Sequence, residues 1–431
     1  MIVNKFYFEE LKKAKIPFIV WIVVISTFVA AAGEFPILGR QIAGWAWVIP
    51  LIISVLMILR KPSRITFPIR IWLPWVVIVV IYLIIFKFPY LQRNIMLLCP
   101  LIIGMAVSTS GIREIQLKGF LILVRLLLFA LFTLVVIKTG LLFTGILPPI
   151  TGLAAQSMIA ALLCCIFAVT YSVNRKKDLL QWIIGAVIPI IALTRTAMIA
   201  TGLTLPLTFA SLKFKKRLIF FTIIGFVSLG LFFTERVQTK MFYSGSGTPD
   251  DMRLSNPDFY TGGRSRLWDL MIEEIKMRPL LGYGPNASEE FVLSITWGAL
   301  THPHNDWLRL LYDYGVLGTS LFVFCICAQV IHLLRRARRA IGHSRILIYA
   351  GATSFLPFVL FMYTDNIILY AAFFGNLQFT ILGLVYAAQK TQEMDAWRYF
   401  QISSATASPN FPHPHKNLFS QRSSQLRTKI H

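Results

Sequence analysis

The sequence is poor in charged residues. Asp, Glu, Lys and Arg make up 14% of its 431 residues, whereas soluble proteins usually carry about 25%. Hydrophobic residues make up 56%, which excludes both a soluble globular protein and a disordered one. Apolar runs long enough to cross a membrane recur from Ile16 to Ala388. We therefore predict one polytopic membrane domain instead of several soluble domains.

Cysteine is scarce as well. The five cysteines all lie inside apolar runs, and none has the spacing of a disulfide framework or a zinc site. We expect neither feature. The chain also lacks an internal repeat of fixed period, which weakens the case for an inverted-repeat transporter.

Twelve apolar stretches are candidate membrane helices, and most have the length that about 30 Å of hydrocarbon requires. They are 16–32, 41–59, 71–88, 92–110, 119–137, 150–173, 179–193, 196–211, 218–234, 307–332, 346–363 and 366–388. The predicted fold is an all-α integral membrane protein with about twelve transmembrane helices. Only Thr194 and Arg195 separate 179–193 from 196–211, so these two stretches form either a hairpin or one broken helix.

The net charge of +23 reflects membrane orientation. Most of the 42 lysines and arginines fall in alternate connections between the predicted spans, together with both termini. Since basic residues collect on the cytoplasmic side, both termini are predicted to be cytoplasmic. The charge therefore needs no nucleic-acid partner. Arg125 lies inside a span, where it either snorkels or pairs with a polar neighbour.

Four regions follow from this topology. Residues 1–234 form an N-terminal membrane bundle, 235–306 a long extracytoplasmic loop, and 307–388 three C-terminal membrane helices. Residues 389–431, rich in Ser, Gln, Pro and basic residues, are expected to be a cytoplasmic and mostly disordered tail.

The long loop contains a predicted amphipathic helix. From Ser265 onward, Leu267, Leu270, Met271 and Ile275 recur at helical spacing. We interpret this helix as lying at the membrane interface, and a Pro/Gly turn from Arg278 ends it.

His304 is the first candidate for chemistry. It stands with Asn305 and Asp306 at the outer mouth of a predicted span, where a histidine can act as a general base. The alternative is a solvated loop residue. His302 and His304 form a His-x-His pair, but no third ligand follows at motif spacing, so we expect no metal.

Arginines on the outer side are the second signal. Arg195 lies between two apolar runs, where the orientation rule disfavours positive charge, and Arg264 and Arg266 precede the amphipathic helix. One guanidinium group can bind two phosphate oxygens at once, and it stays charged. These residues therefore suit a lipid-linked diphosphate. Snorkelling to lipid headgroups is the alternative for Arg264 and Arg266.

These residues fall into three ordered motifs. The motifs are Thr194-Arg195-Thr196-Ala197; then Gly263-Arg264 with Trp268 and the turn from Pro279 to Gly284; then His304-Asn305 with Leu308, Asp313, Gly315 and Gly318. In this order the chain resembles the bacterial O-antigen ligase and O-antigen or exopolysaccharide polymerase superfamily. It departs from the family pattern in Thr194, where Ser is usual, and in Asp313, where Glu is usual. Both substitutions keep the chemistry.

The resemblance implies a membrane glycosyltransferase of the bacterial inner membrane with its active site on the periplasmic side. The donor would be a polyprenyl-diphosphate-linked oligosaccharide, used without metal or cofactor. Arg195, Arg264 and His304 would be catalytic. Arg266, Asn305, Asp313 and Trp268 would bind substrate. We expect Arg195, Arg264 and His304 to meet around one outer cavity.

The resemblance leaves the acceptor open. A polymerase joins one lipid-linked repeat unit to another, and we favour this activity in exopolysaccharide or O-antigen synthesis. A ligase instead transfers the finished glycan to lipid A-core. Outside these two enzymes, the sequence is also compatible with a flippase for lipid-linked sugars or with a non-catalytic scaffold. Membrane lipid, chain-length regulators and flippase proteins are the expected partners.

Overall fold

A computed structural model describes residues 5–33, 36–37, 40–41, 44–86, 91–144, 153–173, 176–253, 256, 258–260, 262–372 and 374–406. The chain divides into two compact units, Met1–Gln389 and Lys390–His431. The named secondary-structure elements of the described part are helices and two short antiparallel strands, β1 (Pro36–Ile37) and β2 (Arg40–Gln41).

Seventeen α-helices are present in the described ranges. They are α1 (Lys5–Ala14), α2 (Phe18–Ala32), α3 (Val48–Arg60), α4 (Ile69–Ile85), α5 (Leu91–Ser108), α6 (Glu114–Phe143), α7 (Ala154–Ser172), α8 (Asp178–Ile191), α9 (Arg195–Thr204), α10 (Phe214–Phe232), α11 (Glu235–Met241), α12 (Arg264–Met277), α13 (Ala287–Ile295), α14 (Asp306–Ala337), α15 (Gly342–Thr353), α16 (Phe355–Thr364) and α17 (Gly375–Thr406).

Within the described residues, five helical segments are long and apolar enough to cross a membrane. They are Leu91–Ser108, Glu114–Leu142, Ala154–Ser172, Asp306–Ala337 and Gly342–Thr364. A sixth is added if α10 and α11, which are bent by 78° at their junction, count as one span. Helices α2, α3, α4 and α8 are apolar but shorter. The helical membrane fold is thus supported, whereas the predicted count of twelve spans is not confirmed.

The last predicted span, 366–388, begins later than expected. Helix α17 starts at Gly375, and the described residues from Asn366 to Phe374 form turns that are largely buried. The sequence predicted a helix from residue 366 because this stretch is as apolar as a membrane-spanning helix. Backbone groups buried in a membrane protein still need partners. One such backbone group, the Ile368 N–H, donates to Asp306 Oδ2 at 2.8 Å.

The uncertain pair 179–193 and 196–211 consists of two helices, α8 and α9. The connection contains Leu193 with a positive φ of 50°, and the Thr194 N–H donates to the Pro189 carbonyl at 3.0 Å. Helix α9 ends at Thr204, earlier than predicted. Both helices pack against α7, which is buried along nearly its whole length. The turn therefore presents Arg195 at the start of α9.

Arg125 pairs with polar neighbours, which is one of the two alternatives that the sequence left open for it. Its Nη2 donates to Asp178 Oδ1 at 2.9 Å, and its Nε donates to Gln181 Oε1 at 3.2 Å. The pair joins α6 to α8.

Helix α12 covers the stretch from Ser265 for which the sequence predicts an amphipathic helix. It buries Leu267, Trp268 and Met271 in a small apolar cluster with Val292 of α13 and Tyr312 of α14. Leu270, expected on the same face, is instead exposed. Packing against α13 and α14 therefore sets the buried face of this helix.

Two glycine-containing motifs pair through their backbones. The Tyr283 and Gly284 N–H groups donate to the carbonyls of Tyr312 and Asp313, both at 2.9 Å. In the other direction, Val316 donates to Pro279 at 2.8 Å. The pairing requires a break inside α14, where Gly315 has φ 63° and ψ −172°. A Cβ on Gly315 would overlap the Leu280 backbone, so both the conformation and the close approach require glycine.

The predicted disordered tail is helical in its first part, because α17 continues to Thr406. Its sequence there includes Ala, Gln, Glu, Met and Lys, which are good helix formers. Residues 407–431 lie outside the described residues.

Candidate functional site

A cavity of about 1390 Å³ lies between the ends of several helices and contains two of the predicted arginines. It is lined by parts of α6, α7, α9, α11, α12 and α16 and by the turn from Ile191 to Thr194. The polar lining residues include Thr139, Thr194, Arg195, Thr196, Glu235, Arg236, Thr239, Lys240, Tyr260, Arg264, Trp268, Tyr363, Thr364 and Asp365. This volume accommodates a large polar ligand.

Arg195 projects into this cavity from the first turn of α9. Its Nη2 donates to the Tyr260 carbonyl at 3.1 Å, and its guanidinium lies 5.5 Å from the centre of the Phe259 ring. Its Nη1 is buried and makes no hydrogen bond in the structure. Burial, and then the nearby charge of Arg264, lower the Arg195 pKa. An anion bound here would satisfy the free donor and relieve the repulsion.

Arg264 begins α12 on the other side of the cavity. Gly262 and Gly263, with φ of 64° and 76°, form the left-handed turn that precedes it. Its Nη1 donates to the Thr364 carbonyl at 3.1 Å. The Thr364 hydroxyl in turn donates to the Thr196 hydroxyl at 2.6 Å. The end of α16 therefore links the two elements that carry the arginines.

His304 does not itself line the cavity, but it contacts residues at the cavity edge. Its Nδ1 lies 3.8 Å from Oδ1 of Asp365, a lining residue, and 3.3 Å from Nδ2 of Asn366. The His304 backbone has a positive φ of 52°. The Trp268 indole donates to the preceding carbonyl, of Pro303, at 2.8 Å. Trp268 thus both lines the cavity and positions the histidine loop.

Asn305 and Asp313 are engaged in structural contacts. The Asn305 side chain accepts from the Leu308 N–H at 3.1 Å and caps α14. Asp313 is 1% exposed. Its Oδ1 accepts from the Ser288 N–H at 2.8 Å, and its Oδ2 lies 3.6 Å from Arg309 Nε. In this setting both residues orient the loops, and neither lines the cavity.

Arg266, the third arginine predicted on the outer side, does not reach the cavity. It is exposed on α12 and is not a lining residue of the cavity. Two residues earlier, Arg264 occupies a different face of the same helix, as the helical period requires. The arrangement brings Arg264 and not Arg266 to the Arg195 cavity.

A buried polar cluster lies next to the loop that carries His304. Arg309 Nη2 donates to Asn286 Oδ1 at 3.2 Å, and Asn286 donates to Glu289 Oε2 at 2.9 Å. His302 Nδ1 lies 3.8 Å from the same carboxylate oxygen. Burial lowers the His302 pKa to about 4 although Glu289 opposes the shift. His302 is therefore neutral near pH 7. No group of three His, Cys, Asp or Glu suited to a metal occurs among the described residues.

Sequence reasoning missed Asp365, Thr364, Lys240 and Tyr260. Asp365 had a signal, since it is a carboxylate in the short break between two predicted spans on the same predicted side as Arg195. Lys240 stood among other loop charges without a motif. Tyr260 and Thr364 each contribute a backbone carbonyl that accepts from an arginine, Arg195 and Arg264 respectively, and no side-chain pattern reveals such a contact.

One family comparison bears on this site. Residues 180–323 match the model of a protein family described as O-antigen ligase. The matched segment contains Arg195, Arg264, Trp268 and His304, whereas Asp365 lies beyond it. The resemblance noted from the three motifs is thereby confirmed. No curated protein matches the chain.

Proposed function

We propose that this chain, a member of the O-antigen ligase and polymerase superfamily by its domain at residues 180–323, is a glycosyltransferase that uses a polyprenyl-diphosphate-linked glycan. The observation that carries the proposal is the pairing of Arg195 and Arg264 in one cavity, with a buried Arg195 Nη1 that has no partner. Two guanidinium groups held close together are stabilised by an anion such as a diphosphate.

The reaction is a substitution at the sugar. The acceptor hydroxyl oxygen bonds to the anomeric carbon of the donor while the bond from that carbon to the diphosphate oxygen breaks. The electron pair leaves with the diphosphate, whose growing negative charge Arg195 and Arg264 stabilise. The hydroxyl proton passes to His304. Neither a metal ion nor a cofactor takes part in this scheme.

Asp365 supports His304 in this scheme. Its carboxylate lies 3.8 Å from His304 Nδ1, so its negative charge stabilises the imidazolium that forms when the histidine takes the proton. Asn366 Nδ2 lies 3.3 Å from the same nitrogen. Asp365 is thus a positioning residue for the base.

Lys240 is a third cation for the donor. It lines the cavity from α11, and burial, followed by the Arg195 charge, lowers the Lys240 pKa. A diphosphate carries two charged groups, so the three cations Arg195, Arg264 and Lys240 in one cavity suit it better than a monophosphate. Asn305 and Asp313 keep positioning roles through α14, and Arg266 has no part in the scheme.

The membrane side of the site follows from charge distribution. The positive-inside rule places both termini in the cytoplasm and the loop 235–306 outside. The cavity would then open on the periplasmic face of the inner membrane. Donor and acceptor would meet there.

The acceptor distinguishes two activities. We propose polymerisation of repeat units into an exopolysaccharide or O-antigen, with chain-length regulators and a flippase as partners. The second candidate, transfer of a finished glycan to lipid A-core, is favoured by the description of the matched family as O-antigen ligase.

A deletion strain tests these alternatives. Its glycans are extracted and separated by size into lipid-linked and surface material. Single repeat units without long chains would support the polymerase, and long chains retained on polyprenyl diphosphate would support the ligase. Repeat units trapped on the cytoplasmic face would instead indicate a flippase and overturn the enzyme proposal. A strain with Arg264→Ala at normal protein abundance should reproduce the deletion.

A further inference from the structure

Asp306 is a buried carboxylate that the proposed reaction does not use. It follows Asn305 at the first position of α14, and it is 1% exposed. Its Oδ1 accepts no hydrogen bond from the described residues and lies 4.0 Å from Arg309 Nη1. Burying a carboxylate with an unsatisfied oxygen is costly even beside a cation. The stability of the fold therefore does not by itself account for an aspartate at this position.

The other oxygen of this carboxylate binds the turn that follows α16. Asp306 Oδ2 accepts from the Ile368 N–H at 2.8 Å. Within the turn, which comprises residues 365–370, the Leu369 and Tyr370 N–H groups both donate to the Asn366 carbonyl at 3.1 Å. The bond from Ile368 instead crosses to another helix. It therefore fixes the position of the 365–370 turn relative to the start of α14.

The 365–370 turn carries two side chains that lie next to His304. Asp365 Oδ1 is 3.8 Å and Asn366 Nδ2 is 3.3 Å from His304 Nδ1. Asp365 Oδ1 also accepts from the Asn366 N–H at 2.9 Å, so the orientation of this carboxylate depends on the backbone of the turn. His304 stands two residues before Asp306 in the chain. The Asp306 carboxylate thus joins the loop of the base to the segment that carries its partner.

We propose that Asp306 is a positioning residue, whose carboxylate holds the 365–370 turn so that Asp365 stays beside His304. This inference rests on the proposed function for the role of His304 as the base. Asp306 does not line the arginine cavity, so it acts through the turn and not on the substrate. A misplacement of about 1 Å at a catalytic group can lower a rate by about 100-fold. Loss of the Asp306 contact should therefore lower kcat and have little effect on donor binding.

Two substitutions of Asp306 separate its hydrogen bond from its charge. Asp306→Asn keeps an oxygen that can accept from the Ile368 N–H, whereas Asp306→Leu removes the acceptor and keeps a similar volume. Replacing a buried charge by a well-packed apolar side chain is often tolerated by the fold, so Asp306→Leu is preferred to Asp306→Ala.

Asp306→Leu should lower kcat for glycan transfer by at least about 30-fold and leave KM for the polyprenyl-diphosphate-linked donor within about threefold. Asp306→Asn should keep kcat within about fivefold of the wild type. Wild-type kcat in Asp306→Leu would overturn the proposal. Equal losses in the two variants would overturn it as well, because the charge and not the hydrogen bond would then be responsible.

Trp307 provides a matched control at the next position of the same helix. Its indole N–H donates to the Val359 carbonyl at 3.3 Å, which lies within α16 and outside the 365–370 turn. Trp307→Phe removes this bond and should leave kcat within about threefold, since the turn keeps its own contact. An equal loss of kcat in Trp307→Phe and Asp306→Leu would show that any weakened contact between α14 and α16 has the same effect, and would contradict the proposal.

A double variant tests whether Asp306 acts through Asp365. If it does, adding Asp306→Leu to Asp365→Asn should lower kcat by less than about threefold further, because the partner of the base is already lost. Fully additive losses would show that the two residues act independently, and the positioning role would be wrong.

Chemical modification of His304 gives a measurement that does not depend on activity. The side chains of His304 and His302 are 28% and 8% exposed. Full-length protein in detergent is treated with diethyl pyrocarbonate, and the modification of each histidine is followed by mass spectrometry. Asp306→Leu should raise the rate at His304 at least threefold, because the turn no longer covers it, whereas Asp306→Asn should leave the rate unchanged. His302 serves as the buried reference in the same loop.

This measurement also separates the inference from the proposed function. An unchanged rate at His304 in Asp306→Leu would overturn the positioning role whatever the activity. If the wild type transfers no glycan from a lipid-linked donor, the proposed function fails, and the modification rates still decide whether Asp306 holds the turn at His304.

Discussion

His304 Nδ1 lies 3.8 Å from Asp365 Oδ1, although α14, α15 and α16 separate the two residues in the chain. The contact exists because α14 starts directly after the histidine loop and α16 ends directly before the aspartate, at the edge of the same cavity. Asp365 also follows Thr364, whose carbonyl accepts from Arg264. One short segment therefore contacts both the base and the phosphate-binding side of the proposed site.

Asp365→Asn should lower kcat for glycan transfer by about 10- to 100-fold, because the neutral amide no longer stabilises the protonated histidine. Asp269→Asn, at an exposed position on α12, is the matched control and should retain wild-type kcat. The measurement is turnover of a lipid-linked donor by purified protein. Wild-type kcat in Asp365→Asn would remove this residue from the scheme.

Arg264→Ala should lower transfer by at least about 100-fold, since it removes a donor aimed at the charge that develops on the leaving group. Arg266→Ala, two residues away and exposed, should stay within about twofold because it does not face the cavity. Both variants are compared at equal membrane abundance. Equal losses would show that Arg264 has no special role.

Lys240→Ala should raise KM for the diphosphate donor by about tenfold with a smaller change in kcat, since a charge-assisted contact to the ground state is lost. Lys276→Ala on α12 provides a control, because Lys276 pairs with Glu273 at 2.7 Å and is remote from the cavity lining. Inhibition by polyprenyl diphosphate gives a second measure. An unchanged inhibition constant would argue against a third cation.

Gly315→Ala should destabilise the folded protein by at least about 2 kcal/mol, because alanine is strained at φ 63° and its Cβ would overlap the Leu280 backbone. Gly230→Ala in α10 meets no atom within 4 Å and should be neutral or slightly stabilising. Thermal unfolding in detergent compares the two. Similar melting temperatures would contradict the proposed backbone pairing.

Arg125→Met should cost about 3–5 kcal/mol, because it leaves the Asp178 carboxylate, with a side chain 3% exposed, without its partner. The double variant Arg125→Met with Asp178→Leu should recover most of this loss, since neither charge then remains buried. Unfolding measurements on the single and double variants give the coupling. Additive losses would show that the two residues do not interact.

The three motifs can be recognised from the sequence alone, because each consists of particular side chains at a fixed spacing. Arg195, Arg264 and the Trp268 helix were found in this way. The exposure of Arg266 and Leu270 could not be predicted from the sequence, because helical spacing alone does not say which face of α12 packs on α13 and α14. The substrate-binding role of Asn305 and Asp313 stays a prediction, and in the fold Asn305 caps α14 while Asp313 forms a buried ion pair with Arg309.

The amino-acid sequence by itself determined that the chain is a helical membrane protein, and it supplied Arg195, Arg264 and His304 as candidates for its polar chemistry. Hydrophobicity, charge bias and motif order are local properties, and they can be read along the chain. The tertiary structure alone decided that Asp365 joins His304, that Arg195 Nη1 has no partner, and that the segment from Asn366 is not helical. These features depend on contacts between distant segments, where buried backbone and charge must find partners across the fold.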